Sequence, residues 1–189
     1  MTERLVPGRD IGGQVSGEFD FGTKKKIEYA VGIFNGAGIN VDDDNECKDI
    51  AGRILIFPIQ DLSVGVSYYN GKSGAAETDK LRTGMELSYL INRLSIEGEY
   101  ISGKDGNLEE YGWYAQIGYK FVPELEAVVK YDSYEPDKNK TDDKIDAATL
   151  GLNWVLNKWA KIQTNYEWKF EEGTKVSNDV FLTQYQVQF

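Results

Sequence analysis

The sequence predicts an all-β chain, an antiparallel up-and-down transmembrane β-barrel sheet with about eleven strands present. Three observations predict it. Apolar and polar residues alternate through most of the chain, the connectors alternate between tight and long, and the apolar register carries no charge. Residues 159–170, WAKIQTNYEWKF, show the first: Ala160, Ile162, Thr164, Tyr166, Trp168 and Phe170 form one register and Trp159, Lys161, Gln163, Asn165, Glu167 and Lys169 the other. Successive strand side chains point to opposite faces, so such a segment separates two environments.

In chain order, a strand near 9–20 runs into the tight connector FGTKKK, and a second near 26–35 carries Ile27, Tyr29, Val31 and Ile33 on one register. The long polar segment NGAGINVDDDNEC leads to a third near 48–57, and FPIQD turns it into a fourth near 61–70 with Leu62, Val64, Val66 and Tyr68. After NGKSGAAETD come a fifth near 80–90 (Thr83, Met85, Leu87, Tyr89) and, past LINR, a sixth near 93–102 (Leu94, Ile96, Gly98, Tyr100). SGKDGNLEE introduces a seventh near 110–121 (Tyr111, Trp113, Ala115, Ile117, Tyr119, Phe121), and FVPE an eighth near 124–133 (Leu125, Ala127, Val129, Tyr131). EPDKNKTDD precedes a ninth near 144–155 (Ala148, Leu150, Leu152, Trp154), VLNK joins it to a tenth near 158–170, and EEGTKVSND leads to an eleventh near 177–189 (Phe181, Thr183, Tyr185, Val187, Phe189). The tight turns recur near 23, 59, 92, 123 and 157, a hairpin period of about 33. No domain boundary interrupts it.

Within each strand the aliphatic residues sit centrally and the Tyr, Trp or Phe toward an end. A bilayer selects that sorting, with rings at its two interfaces, whereas a soluble core does not. Outer-membrane lipid is therefore the expected partner of the apolar face. No apolar run approaches the roughly 20 residues of a spanning helix, which excludes a helical membrane protein.

The net charge of −10 is concentrated in the five long connectors, which together hold eleven net negative charges. Nucleic acid is not an expected partner, because phosphate contacts need clustered Lys and Arg. The single Cys47 cannot form an internal disulfide. With no His in the chain, Ser-His-Asp, Cys-His and His-metal chemistry have no site here. The loop segment DDDNEC (42–47) lacks the Gly and spaced ligands of an EF-hand loop and reads as solvated acid. GKSG (71–74) is too short for a P-loop. No catalytic residue, metal or cofactor is expected.

The opposite register is too polar for a packed core. It carries Arg53, Arg82, Lys120, Lys130, Lys144, Lys161 and Lys169 with Glu86, Glu97, Glu99 and six further carboxylates. Burying so many ions without water would cost several kcal/mol each, so a water-filled lumen follows. These ten named residues are the candidate pore lining. Its seven cations meet nine anions. They could form an anion ladder, or be wall charges paired across neighbouring strands, which suffices to place them.

The segments PGRDIGGQVSGEF (7–19), YAVGIFNGAG (29–38) and FLTQYQVQF (181–189) resemble the phosphate-selective porin O and P family. The ending with Tyr185, Val187 and Phe189 also resembles the C-terminal assembly signal of outer-membrane barrels. The resemblance implies a 16-stranded porin in the outer membrane of a Gram-negative bacterium, a homotrimer when full length, passing small hydrophilic solutes and anions such as phosphate. Bacterial barrels have even strand counts with both chain ends on the short-turn side. Eleven strands would then be the sixth to sixteenth, so residues 1–189 are expected to be the C-terminal portion of one porin barrel domain, with the inward third loop on the part that precedes them. A non-porin outer-membrane barrel, enzyme or adhesin, and a soluble β-sheet binding protein are the competing readings.

Overall fold

The computed structural model describes residues 10–22, 25–38, 45–172 and 176–188. Eleven strands follow one another: β1 (Gly12–Asp20), β2 (Lys26–Phe34), β3 (Asp49–Ile59), β4 (Leu62–Ser73), β5 (Thr78–Ile91), β6 (Leu94–Asp105), β7 (Leu108–Val122), β8 (Leu125–Glu135), β9 (Ile145–Asn157), β10 (Ala160–Glu171) and β11 (Val180–Val187). Each pairs antiparallel with its sequence neighbours in one open sheet ordered β1 to β11. All eleven expected strands are present. The DDDNEC loop up to Asp44, the first nine residues and the terminal Phe189 lie outside the described residues.

Local chemistry explains the turns and their irregularities. Asp61 and Asn92, at the β3–β4 and β5–β6 turns, have φ of 62° and 53°, left-handed conformations that Asp and Asn tolerate better than branched residues. The register of β3 on β4 shifts between Ile56 and Ile59, where Pro58 has no N–H to give the ladder. The other two shifts also adjoin tight turns, at Lys120/Val122 and Ala160/Lys161.

Two of the expected long loops are instead hairpins. β4 and β5 stay paired to Ser73↔Thr78, and β6 and β7 to Asp105↔Leu108 around Gly106 at φ 58°. Both faces of these extensions carry polar residues, among them Lys72, Ser73, Lys104 and Asp105, so they show no apolar alternation. Lys72 pairs with Glu77 of the turn at 2.9 Å, and the cross-strand pair Lys104 with Glu109 closes at 3.2 Å.

The two faces differ as the alternation requires. Val129, Ile117 and Leu150 of the apolar register are 59%, 53% and 50% exposed among the described residues. Ring pairs lie along the same register, among them Phe19 with Tyr29 at 5.5 Å, Trp113 with Tyr131 at 5.6 Å and Tyr166 with Trp168 at 4.6 Å. Of the eight buried residues other than glycine among the described residues, six (Asp49, Ile101, Glu110, Asp132, Tyr134, Ala147) belong to the charged register. All eight buried glycines do too. Side chains crowd on the concave face of a curved sheet and splay on its convex face. The charged face is therefore the inner one.

The charged inner wall as candidate functional site

The inner glycines decide how the charges lie. A Cβ on Gly65 would come within 2.5 Å of Glu86 Oε1, and one on Gly103 within 3.0 Å of Arg82 Nε and of Glu110. The long charged side chains thus lie flat across the bare backbone of the neighbouring strand. Lying flat, they reach partners and leave the space above the wall open.

Arg53 on β3 reaches over β4 to Glu86 on β5, giving Nε–H and Nη2–H to its two carboxylate oxygens at 2.6 Å each. Arg82 on β5 forks onto Asp105 through Nη1–H and Nη2–H at 2.7 and 2.8 Å, and its Nη2 lies 3.3 Å from Glu110 Oε1 on β7. The Tyr134 hydroxyl on β8 donates to Glu110 Oε2 at 2.8 Å. Arg82 and Glu110 are nearly buried, with side chains 11% and 9% exposed, whereas Arg53 is half exposed. One network so ties four strands together at the long-loop end of the wall.

Beside it, Asp49 at the start of β3 is fully buried. It accepts the Tyr69 hydroxyl and, at 2.9 Å, the backbone N–H of Lys72. Gly71, opposite Asp49, leaves the room, since a Cβ there would overlap the carboxylate. Asp49 therefore pins the start of β3 to β4.

Of the ten residues expected to line the pore, nine keep the inner register. Lys130 pairs with Asp132 at 2.6 Å and stands 4.8 Å over the Tyr114 ring, and Lys169 pairs with Glu167 at 3.4 Å. Glu97 accepts from Gln116 Nε2 at 3.3 Å. Glu99 lies opposite Glu86, without a hydrogen-bond donor among the described residues. Lys120 and Lys161 have no ion pair among the described residues; Glu126, opposite Lys120, accepts Asn153 Nδ2 at 3.0 Å instead.

Lys144 is the exception. It precedes β9 on the parity of Ala148 and Leu150, 3.4 Å from Asp146 of that same parity. A charge in the outer register is acceptable there because it sits where the strand leaves for the loop. Both belong to the outer face at the loop end and not to the pore lining.

Sequence reasoning placed Glu110 at a strand end and Asp105 in a loop, and passed over Asp49, Tyr69 and Tyr134. The parity of Gly65, Gly71, Gly84, Gly103 and Gly118 was the available signal, since glycines on a polar register mark where neighbours must lie down. Outside the strands, Asp137 accepts the Asn139 backbone N–H at 3.1 Å and pairs with Lys140 at 3.1 Å, which holds its carboxyl below the usual range. Glu77 is held low in the same way by Lys72. The loop-end charge so persists into mildly acidic water. Among the described residues no cluster of His, Cys, Asp or Glu fits a metal ion.

The family model described as phosphate-selective porin O and P matches residues 60–189. Among solved structures the chain is similar to the anion-selective porin from Comamonas acidovorans, at 14% identity and a TM-score of 0.67, over 92% of this chain and 55% of that one. It thus spans about half the length of that porin. A KdgM porin in complex with disordered oligogalacturonate is aligned at 13% identity and a TM-score of 0.44, over 92% of this chain and 87% of that one. No curated protein sequence matches.

Proposed function

Because the chain belongs to the phosphate-selective porin O and P family, we propose that it is the C-terminal portion of an outer-membrane porin whose charged face lines a water-filled channel for small hydrophilic solutes. The observation that carries this is the inversion of the sheet: bare apolar side chains on the convex face, and ions with their glycine seats on the concave face. A soluble binding protein would need something packed on Val129 and Leu150. The complete molecule is read as a sixteen-stranded barrel of a Gram-negative outer membrane, a homotrimer, with a transport role and no catalytic one.

The wall argues for at most weak anion preference. A phosphate ladder needs donors with uncompensated positive charge, ideally Arg, and both arginines of the wall have their charge matched by the carboxylates they fork onto. The test is the reversal potential of the complete porin in a salt gradient, before and after replacing Arg53, Lys130 and Lys161 by Gln. A weak preference, shifted slightly toward cations, is expected. A strong phosphate preference abolished by these changes would establish an anion ladder, and one untouched by them would place selectivity in strands outside this chain.

The face assignment has its own test. Leu150→Arg should cost about 2–4 kcal/mol in lipid, while Lys161→Gln should leave folding almost unchanged. Urea titration of the complete porin in vesicles compares them, and equal costs would mean that the faces are reversed.

A further inference from the structure

The inner wall between β1 and β6 holds a hollow of about 440 Å³ that passage of ions does not require. Small-molecule sites run from about 300 to 1,000 Å³, so the hollow is large enough for a ligand. We propose that it is a subsite for a neutral sugar ring, a reading that rests on the porin assignment above and names one class of solute for it.

The floor is flat and apolar. The Phe34 ring lies along the wall over Gly32 and Gly12, where added Cβ atoms would come within 2.6 and 2.5 Å of it. Ala51 and Ile101 continue that floor. An aromatic face laid open in this way accepts the polarised C–H face of a pyranose.

The rim offers donors and acceptors together. Arg53 spends Nε–H and one Nη2–H on Glu86, so both Nη1 hydrogens and the second Nη2 hydrogen have no acceptor among the described residues. Tyr69 donates its hydroxyl hydrogen to Asp49, which leaves its oxygen as an acceptor. Gln14 supplies an amide with both functions. Sugar hydroxyls both donate and accept, and a mixed rim satisfies them where a purely cationic one would not.

Charge separates this ligand from an anion. Glu86 neutralises Arg53, Asp105 and Glu110 surround Arg82, and the carboxylate of Asp10 stands on the rim, accepting Gly36 N–H at 2.6 Å. Carboxylates outnumber guanidinium groups, so a phosphate dianion meets net repulsion there and a neutral ring does not.

The experiment uses the complete porin in planar bilayers, with glucose, maltose and inorganic phosphate as probes. Both sugars should reduce the ion current in a saturable way in the millimolar range, and phosphate should not. Ala51→Leu, which fills the hollow, and Arg53→Met should each raise the half-saturating sugar concentration about tenfold, the loss of one well-placed contact. Thr149→Leu, on the inner face of β9, should leave it unchanged. Heat-modifiable gel mobility confirms that each variant is folded. Saturation-transfer NMR of the detergent-solubilised porin with glucose reads the same contact without needing a channel. Sugar contact that Ala51→Leu leaves intact, absent sugar contact in folded porin, or phosphate block that depends on Arg53 would each overturn the sugar subsite. Absence of any conductance, with sugar contact still present in the NMR, would instead overturn the porin reading and leave the subsite standing.

Discussion

Replacing Arg82 by Met is expected to destabilise the folded protein by about 3–5 kcal/mol, the range for removing one partner of a buried ion pair. The loss is not mainly the attraction itself. Glu110 is 9% exposed at its side chain, and with Arg82 gone it keeps the Tyr134 hydroxyl as a donor at 2.8 Å but no cation beside it among the described residues. A carboxylate left there keeps its desolvation cost without the cation that offset it. Changing Glu110 to Gln in the same chain should therefore recover a large part of the loss, a coupling that a double-mutant cycle isolates. Arg53→Met gives the contrast. Its bond to Glu86 is as short, but the side chains are 52% and 31% exposed, and exposed pairs contribute about 0.2–1 kcal/mol. Urea unfolding of the complete porin in vesicles orders the three variants. Equal costs for Arg82→Met and Arg53→Met would show that burial does not set the strength of these pairs.

The strands were legible because the outward register is uncharged through the central stretch of each strand. Through β9 the run Ala148, Leu150, Leu152, Trp154 leaves no second register to choose, and the structure keeps it. That rule ends toward the long-loop end of the sheet. Lys72, Asp79, Lys104 and Glu109 sit in hairpin extensions with polar residues on both faces, so the sequence reads there as loop although the backbone stays paired. Lys144 fails for a related reason: its charge implied the lumen while its parity with Ala148 implied the outside, and at a strand end parity is the better guide. The wall contacts were hidden more deeply. Arg53 and Glu86 are 33 positions apart on strands that are not neighbours, and their contact exists because Gly65 on the strand between them has no side chain to block it. Alternation reports which face a residue takes and is silent about how far its side chain lies along that face. Glycine parity carries part of that missing information.

The 189-residue chain alone, refolded into lipid vesicles, is expected not to form uniform channels. The sheet ends at β1 and β11, which do not pair with each other. Each edge strand has one side of its backbone without a ladder partner, and lipid cannot supply one; every unsatisfied N–H or C=O in hydrocarbon costs on the order of several kcal/mol. Closing the eleven strands on themselves does not remove the conflict. Successive strands alternate in direction, so β1 and β11 run the same way, and joining them would place one parallel pair in a wall that is otherwise antiparallel. An even number of strands is needed for a closed antiparallel barrel, and additional strands supply it by meeting both edges at once. The isolated chain must therefore recruit other strands, pair edge to edge with further copies, or aggregate. Single-channel recording after reconstitution separates these outcomes from closure: scattered, short-lived conductances or none are expected. A single stable conductance from the isolated chain, together with heat-modifiable mobility of a monomer, would show that eleven strands close by themselves, and the proposal of a larger barrel would fall with it.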